Sequence, residues 1–225
     1  MKAIVISLAI LGLILQGIFI MVENRKKYVA AALLKGLAAF MFVAIGILGC
    51  IQSRSSVFSV HILLGLIFGM LGDVILNFRY VFKKQGQKIF IAGTIVFFIG
   101  HICYLCSLIP QSNSLLACII VGLVCTLIFA VFIFRIIKVK TVMKLLGQFY
   151  VFAIFTMNIL AFQIVAVSST VHNLLFAIGG FLFAASDIIL IINTFGKRHN
   201  PKVRVLYLYI YIIGQTLIAS SLFYF

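Results

Sequence analysis

Acidic side chains are almost missing from this chain. Against 18 Lys and Arg it has three Asp and Glu: Glu23, Asp73 and Asp187. Charged residues of both signs make up 9% and apolar types 65%, with a mean hydropathy of +1.31. So little charge excludes a soluble domain and points to an integral membrane protein. Histidine pairs at helical spacing are missing too. His61, His101, His172 and His199 are scattered, with no His-x-x-x-His. That argues against a membrane zinc amidase, whose site wants about three histidine or carboxylate ligands. Nothing resembles a Ser-His-Asp triad or a phosphate-binding glycine loop.

What the chain has is apolar runs of membrane-spanning length, about 20 residues each. Eight fit, over residues 3–22, 28–50, 57–78, 89–109, 115–137, 144–167, 171–195 and 203–224. The expected fold is all-α: one polytopic membrane bundle of eight transmembrane helices spanning 1–225. Lys2 and the first run have the look of a signal peptide. No small-residue cleavage site precedes Glu23 and the stronger charge follows the run, so a retained span is expected.

The formal charge of +15 invites a nucleic-acid partner. The cations instead sit in short clusters between spans, which argues against one. After span 1 come Arg25, Lys26 and Lys27; after span 3, Arg79, Lys83, Lys84 and Lys88. After span 5 come Arg135, Lys138, Lys140 and Lys144; after span 7, Lys197, Arg198, Lys202 and Arg204. Lys2 and Arg54 alone fall on the other side, and Lys35 lies within span 2. Loops rich in Lys and Arg stay in the cytoplasm. Both termini are therefore predicted outside it, in a bacterial cell membrane.

Two of the three acids interrupt apolar runs, in Gly72-Asp73-Val74-Ile75-Leu76 and Ser186-Asp187-Ile188-Ile189-Leu190. An ionisable group inside a span is expensive and marks a candidate site. Glu23 falls in a polar junction. Asp73 and Asn77 are four apart and share a helix face. His101 and Tyr104 share one in span 4, and Tyr211 and Gln215 in span 8. Span 6 has an unusual polar load in Gln148, Tyr150, Thr156, Asn158 and Gln163. Span 5, with nothing more polar than Thr126, reads as lipid-facing scaffold, and Tyr207 as an interfacial belt residue. Lys35 has two readings, a lysine snorkelling to the surface or a cation facing the bundle interior. Counted from the basic ends of their spans, Asp73 and Asp187 lie roughly 9 and 12 Å inside, with Lys35, Tyr150 and Tyr211 at similar depth. Cys103 and Cys106 form a C-x-x-C that reads as two small residues on a helix rather than a redox pair.

An internal repeat is visible. A shift of 114 positions carries Asp73 onto Asp187, Gly65 onto Gly179, Gly100 onto Gly214 and His101 onto Gln215, and overlays the basic loops that follow. Four spans per repeat preserve direction, so halves of about 1–110 and 111–225 would be parallel repeats about an axis along the membrane normal.

These features together resemble a known family. The Gly-Asp-x-x-Leu of span 3, the His-x-x-Tyr of span 4, the Ser-Asp-x-x-Leu of span 7, the Tyr-x-x-x-Gln of span 8 and the Tyr150–Met157 segment are similar to the lysoplasmalogenase, or YhhN-like, membrane family. Members often have Lys-Pro in span 2, where this chain has Lys35-Gly36. The resemblance implies hydrolysis of the vinyl-ether bond of a lysophospholipid substrate within the bilayer, giving a fatty aldehyde and a glycerophospho-base, with no metal or cofactor. Proton transfer to the carbon β to oxygen leaves an oxocarbenium-like cation that water captures. Such chemistry wants one protonated and one ionised carboxyl, and two neighbouring carboxyls in a low dielectric divide in that way. Asp73 and Asp187 are the expected catalytic pair. Lys35, Asn77, His101, Tyr104, Tyr150, Ser186, Tyr211 and Gln215 are the expected substrate-binding or supporting residues. The alternative is a small-solute or proton-coupled transporter built from two repeats with an intramembrane acidic pair.

Overall fold

The computed structural model describes residues 2–137, 139–197 and 199–225; Lys138 and Arg198, two of the clustered cations, lie outside the described residues. Among the described residues there are eight long α-helices and no strand. They are α1 (Lys2–Asn24), α2 (Tyr28–Gln52), α3 (Val57–Val81), α4 (Gly86–Leu108), α5 (Leu115–Ile136), α6 (Thr141–Val167), α7 (Val171–Phe195) and α8 (Pro201–Ser221). All are long and apolar enough to cross a bilayer. There, helices are favoured because each backbone polar group is satisfied within its own segment.

Local chemistry sets the ends. Ser56 and Thr170 accept backbone N–H bonds from Ser59 and Asn173 and so cap α3 and α7. Asn200 accepts from Lys202 N ahead of α8, and Pro201 takes a position whose N–H has no helical partner. The helices depart from the apolar runs where polar residues extend them. α3 continues to Val81 rather than 78, and α6 begins at Thr141 rather than 144.

α2 packs on α1, α3 and α8, and α6 packs on α5, α4 and α7. α3 lies along α4, and α7 along α8. Both close pairings depend on glycine. A Cβ at Gly65 would come within 2.3 Å of the Tyr104 ring, and one at Gly179 within 2.7 Å of the Gly214 carbonyl oxygen. Phe42, Leu66, Met157, Leu160, Phe176 and Phe183 belong to the continuous core between these helices. α5 packs mainly on α6 and turns Leu127, Val131 and Phe132 outward. At Lys35-Gly36 the helix α2 runs on unbroken, and the missing side chain of Gly36 leaves room for Val74 of α3.

The basic junctions meet at one end of the bundle. Tyr28 stacks on Tyr80 at 5.8 Å, Lys83 lies over Tyr28, and Gln87 at the start of α4 donates to Met143 Sδ at the start of α6. Two expectations are corrected here. Glu23, expected in the polar junction, instead belongs to the last turn of α1, where it is buried and paired with Arg204 of α8. Tyr207 is no belt residue. It is buried and faces the interior, because α8 is held against α1 by that pair.

Candidate functional site

Val81 ends α3 eight residues after Asp73, and Phe195 ends α7 eight residues after Asp187. Both carboxyls therefore lie about 12 Å from the basic end of their helices. They line one cavity of about 130 Å3. Lys35 and Tyr211 line it beside Asp73, and Tyr150 and Ser186 beside Asp187. The walls are otherwise mainly apolar, with Leu76 and Phe97 on one side and Phe129, Ile133 and Leu190 on the other. α5 is thus more than scaffold facing lipid, since its last turns close the cavity.

Of the two readings of Lys35, the interior one holds. The side chain is 2% exposed, and its Nζ lies 3.3 Å from Asp73 Oδ2. The ammonium also donates to Gln16 Oε1 at 3.2 Å and lies 4.6 Å from the centre of the Tyr211 ring. A buried charge persists only when paired and hydrogen-bonded, and this one has a carboxylate, an amide and a π face. Asp187 is surrounded differently. It is half-buried, and its Oδ2 accepts a hydrogen bond from the Tyr150 hydroxyl. The group that meets this carboxyl is thus a phenol. The Tyr211 hydroxyl is buried without a hydrogen-bond partner among the described residues. Ser186 donates to the Phe183 carbonyl of its own helix at 2.9 Å, so its hydroxyl proton is already engaged.

Four expected site residues lie outside this cavity. Asn77 shares a face with Asp73, but its amide donates to the Asp73 main-chain oxygen at 2.9 Å and does not reach the carboxylate. His101, Tyr104 and Gln215 form a packed layer behind the site. Tyr104 donates to Gln215 Oε1 at 2.8 Å, and His101 packs edge-on against Tyr150 and Phe183 at 5.4 and 4.7 Å. Neither ring nitrogen of His101 has a hydrogen-bond partner among the described residues. His101 thus backs Tyr150, and none of the three lines the cavity.

The sequence reading missed Gln16. It is fully buried and lies eight residues before Asn24 ends α1, level with the aspartates. The depth count that singled out Lys35 would have found it. The polar load of α6 divides between two tasks. Gln148 and Tyr150 line the cavity, whereas Asn158 donates to the Ile154 carbonyl and Gln163 accepts from Ser112. C-x-x-C residues Cys103 and Cys106 are free thiols on α4.

No curated protein and no solved structure matches the chain. A family model does, over residues 26–222, and that stretch runs from within the first basic junction through α8 and holds both aspartates, Lys35 and Tyr150. On that match the protein belongs to the YhhN family, the family of lysoplasmalogenases.

Proposed function

We propose that this membrane protein hydrolyses the vinyl-ether bond of a lysoplasmalogen with Asp187 and Asp73 as its acid and its cation-stabilising carboxylate. The observation that carries the reading is the unlike pairing of two carboxyls in one mainly apolar cavity, one beside an ammonium and one beside a phenol. A carboxyl with no cation paired to it among the described residues is the natural proton carrier, and one facing Lys35 is the natural carboxylate.

The chemistry then balances. Asp187 gives its proton to the alkenyl carbon β to the ether oxygen, and the π electrons form the new C–H bond. The positive charge that develops on the α carbon and oxygen faces the Asp73 carboxylate. Water adds to the α carbon and loses a proton to a carboxylate. The resulting hemiacetal breaks its C–O bond to the glycerol oxygen, which takes up a proton. One water is consumed, and a fatty aldehyde and a glycerophospho-base are released. Preorganised charge in a site with little water is worth more than the same charge in solution. The division of roles between two carboxyls parallels glycoside hydrolysis in mechanism only.

The two halves read as repeats that each contribute one aspartate to a single eight-helix unit. In support, Gly100 closes on the Gly65 carbonyl as Gly214 closes on that of Gly179. Lys35 of α2 likewise stands to Asp73 as Tyr150 of α6 stands to Asp187. A transporter with an acidic pair remains the competing activity, and one experiment separates the two. Protein purified in detergent is given a lysoplasmalogen or the matching ester lysolipid. Aldehyde from the first and no fatty acid from the second is expected. Silence in detergent with solute movement in sealed vesicles would favour transport.

A further inference from the structure

We propose that Lys144, with Gln148 one turn further in, anchors the phosphate of a lysophospholipid headgroup and so sets the depth at which the lipid presents its reactive bond. The inference deepens the hydrolase reading and takes its geometry from it.

Among the described residues two cations line the cavity, Lys35 and Lys144. Lys35 is engaged by Asp73. For Lys144 the chain offers no counter-charge. Its three acids are Glu23, Asp73 and Asp187, engaged by Arg204, Lys35 and Tyr150 respectively. Lys144 is half-buried in the first turn of α6, with its ammonium 5.1 Å from the centre of the Phe134 ring on α5. It is thus held at the rim of the cavity between the two helices, and an anion there must come from outside the protein. The first N–H groups of α6 point to the same end and favour negative charge.

The spacing fits one class of anion. Lys144 and Gln148 are four apart on one face of α6, and Tyr150, which holds Asp187, lies further in. From Lys144 to Tyr150 is about 9 Å along the axis. In a lysoplasmalogen the vinyl-ether carbon and the phosphorus are separated by a glycerol, a span of about 7 Å at ordinary bond lengths. With the phosphate at Lys144 the glycerol hydroxyl passes Gln148, and the alkenyl carbons arrive between the carboxyls. A neutral alkenylglycerol would have the same tail and glycerol but nothing to set its depth.

The test uses the full-length protein in detergent and measures binding, so it does not depend on turnover. The probes are a saturated 1-O-alkyl lysophospholipid, which has no vinyl ether to cleave, the matching alkylglycerol without phosphate, and inorganic phosphate. The unmodified protein should bind the lysophospholipid roughly tenfold more tightly than the alkylglycerol, a charge-assisted contact's worth. Lys144→Met should erase that margin and leave alkylglycerol binding unchanged, and Lys144→Arg should keep most of it. A margin that survives Lys144→Met, or an equal loss for both lipids, overturns the proposal. So does a site that takes inorganic phosphate with no preference between the two lipids, because the anion is then not a headgroup. Absence of aldehyde from the unmodified protein would instead sink the hydrolase reading, and the binding comparison would still decide the role of Lys144.

Discussion

Lys35 and Asp73 face each other across α2 and α3 at 3.3 Å, both nearly inaccessible, while Asp187 in the same cavity meets the hydroxyl of Tyr150. The two carboxyls are thus differently partnered although their local sequences, Gly72-Asp73-Val74-Ile75-Leu76 and Ser186-Asp187-Ile188-Ile189-Leu190, look alike. Their difference comes from α2 and α6, which put an amine on one and a phenol on the other.

Asp73→Asn and Asp187→Asn each keep size and remove the titrating group. Each should lower aldehyde release by about 10²–10⁴-fold, the usual worth of positioned acid–base catalysis. The double variant should be little worse than the poorer single one, because groups acting as a unit are not additive. A folded single variant with near-normal turnover removes that aspartate from the mechanism.

Lys35→Met leaves the Asp73 carboxylate buried without its cation. Removing one partner of a buried pair costs about 3–5 kcal/mol, so thermal unfolding in detergent should shift well down. Adding Asp73→Asn should restore much of the loss, since no orphan charge then remains. Equal stability of the single and double variants would count against a true ion pair.

Tyr150→Phe deletes one hydroxyl and leaves its ring against His101. Turnover should fall roughly ten- to a hundredfold, as for loss of one hydrogen bond to a charged or reacting group. The unfolding midpoint should move little by comparison. A large loss of stability with unchanged turnover would make Tyr150 structural.

Gly179→Ala puts a methyl against the backbone of α8, where the Gly214 oxygen cannot yield without moving the helix. Destabilisation of about 1–3 kcal/mol is expected from such overpacking. Gly147→Ala is the internal control, since its new methyl meets nothing within 4 Å. There the better helix propensity of alanine should leave stability equal or higher. Unfolding of both variants, followed side by side, checks the contrast.

The four basic junctions predict the orientation of the chain. Reporter fusions after Phe225 and within 79–88 should fall on opposite sides of the membrane, with the 79–88 junction cytoplasmic. The same side for both would overturn the eight-span arrangement.

The number and approximate limits of the helices are legible in the amino-acid order alone. Twenty-residue apolar runs have no other stable form in a bilayer, and that constraint is local. The same order also marked Asp73, Asp187 and Tyr150, because polar groups stand out against an apolar background and depth can be counted along a helix. What the count cannot supply is azimuth and partner. Lys35 could equally have snorkelled, and only the packing of α1 and α8 around α2 buries it against Asp73 and Gln16. His101 and Tyr104 share a face as predicted, yet that face turns toward Gln215 and Phe183 rather than into the cavity. Glu23 and Arg204 are 181 residues apart and touch only because α8 returns beside α1. Spacing along one helix fixes which side chains share a face. Which face meets which neighbour is decided by close packing between helices, and that is a property of the tertiary structure alone.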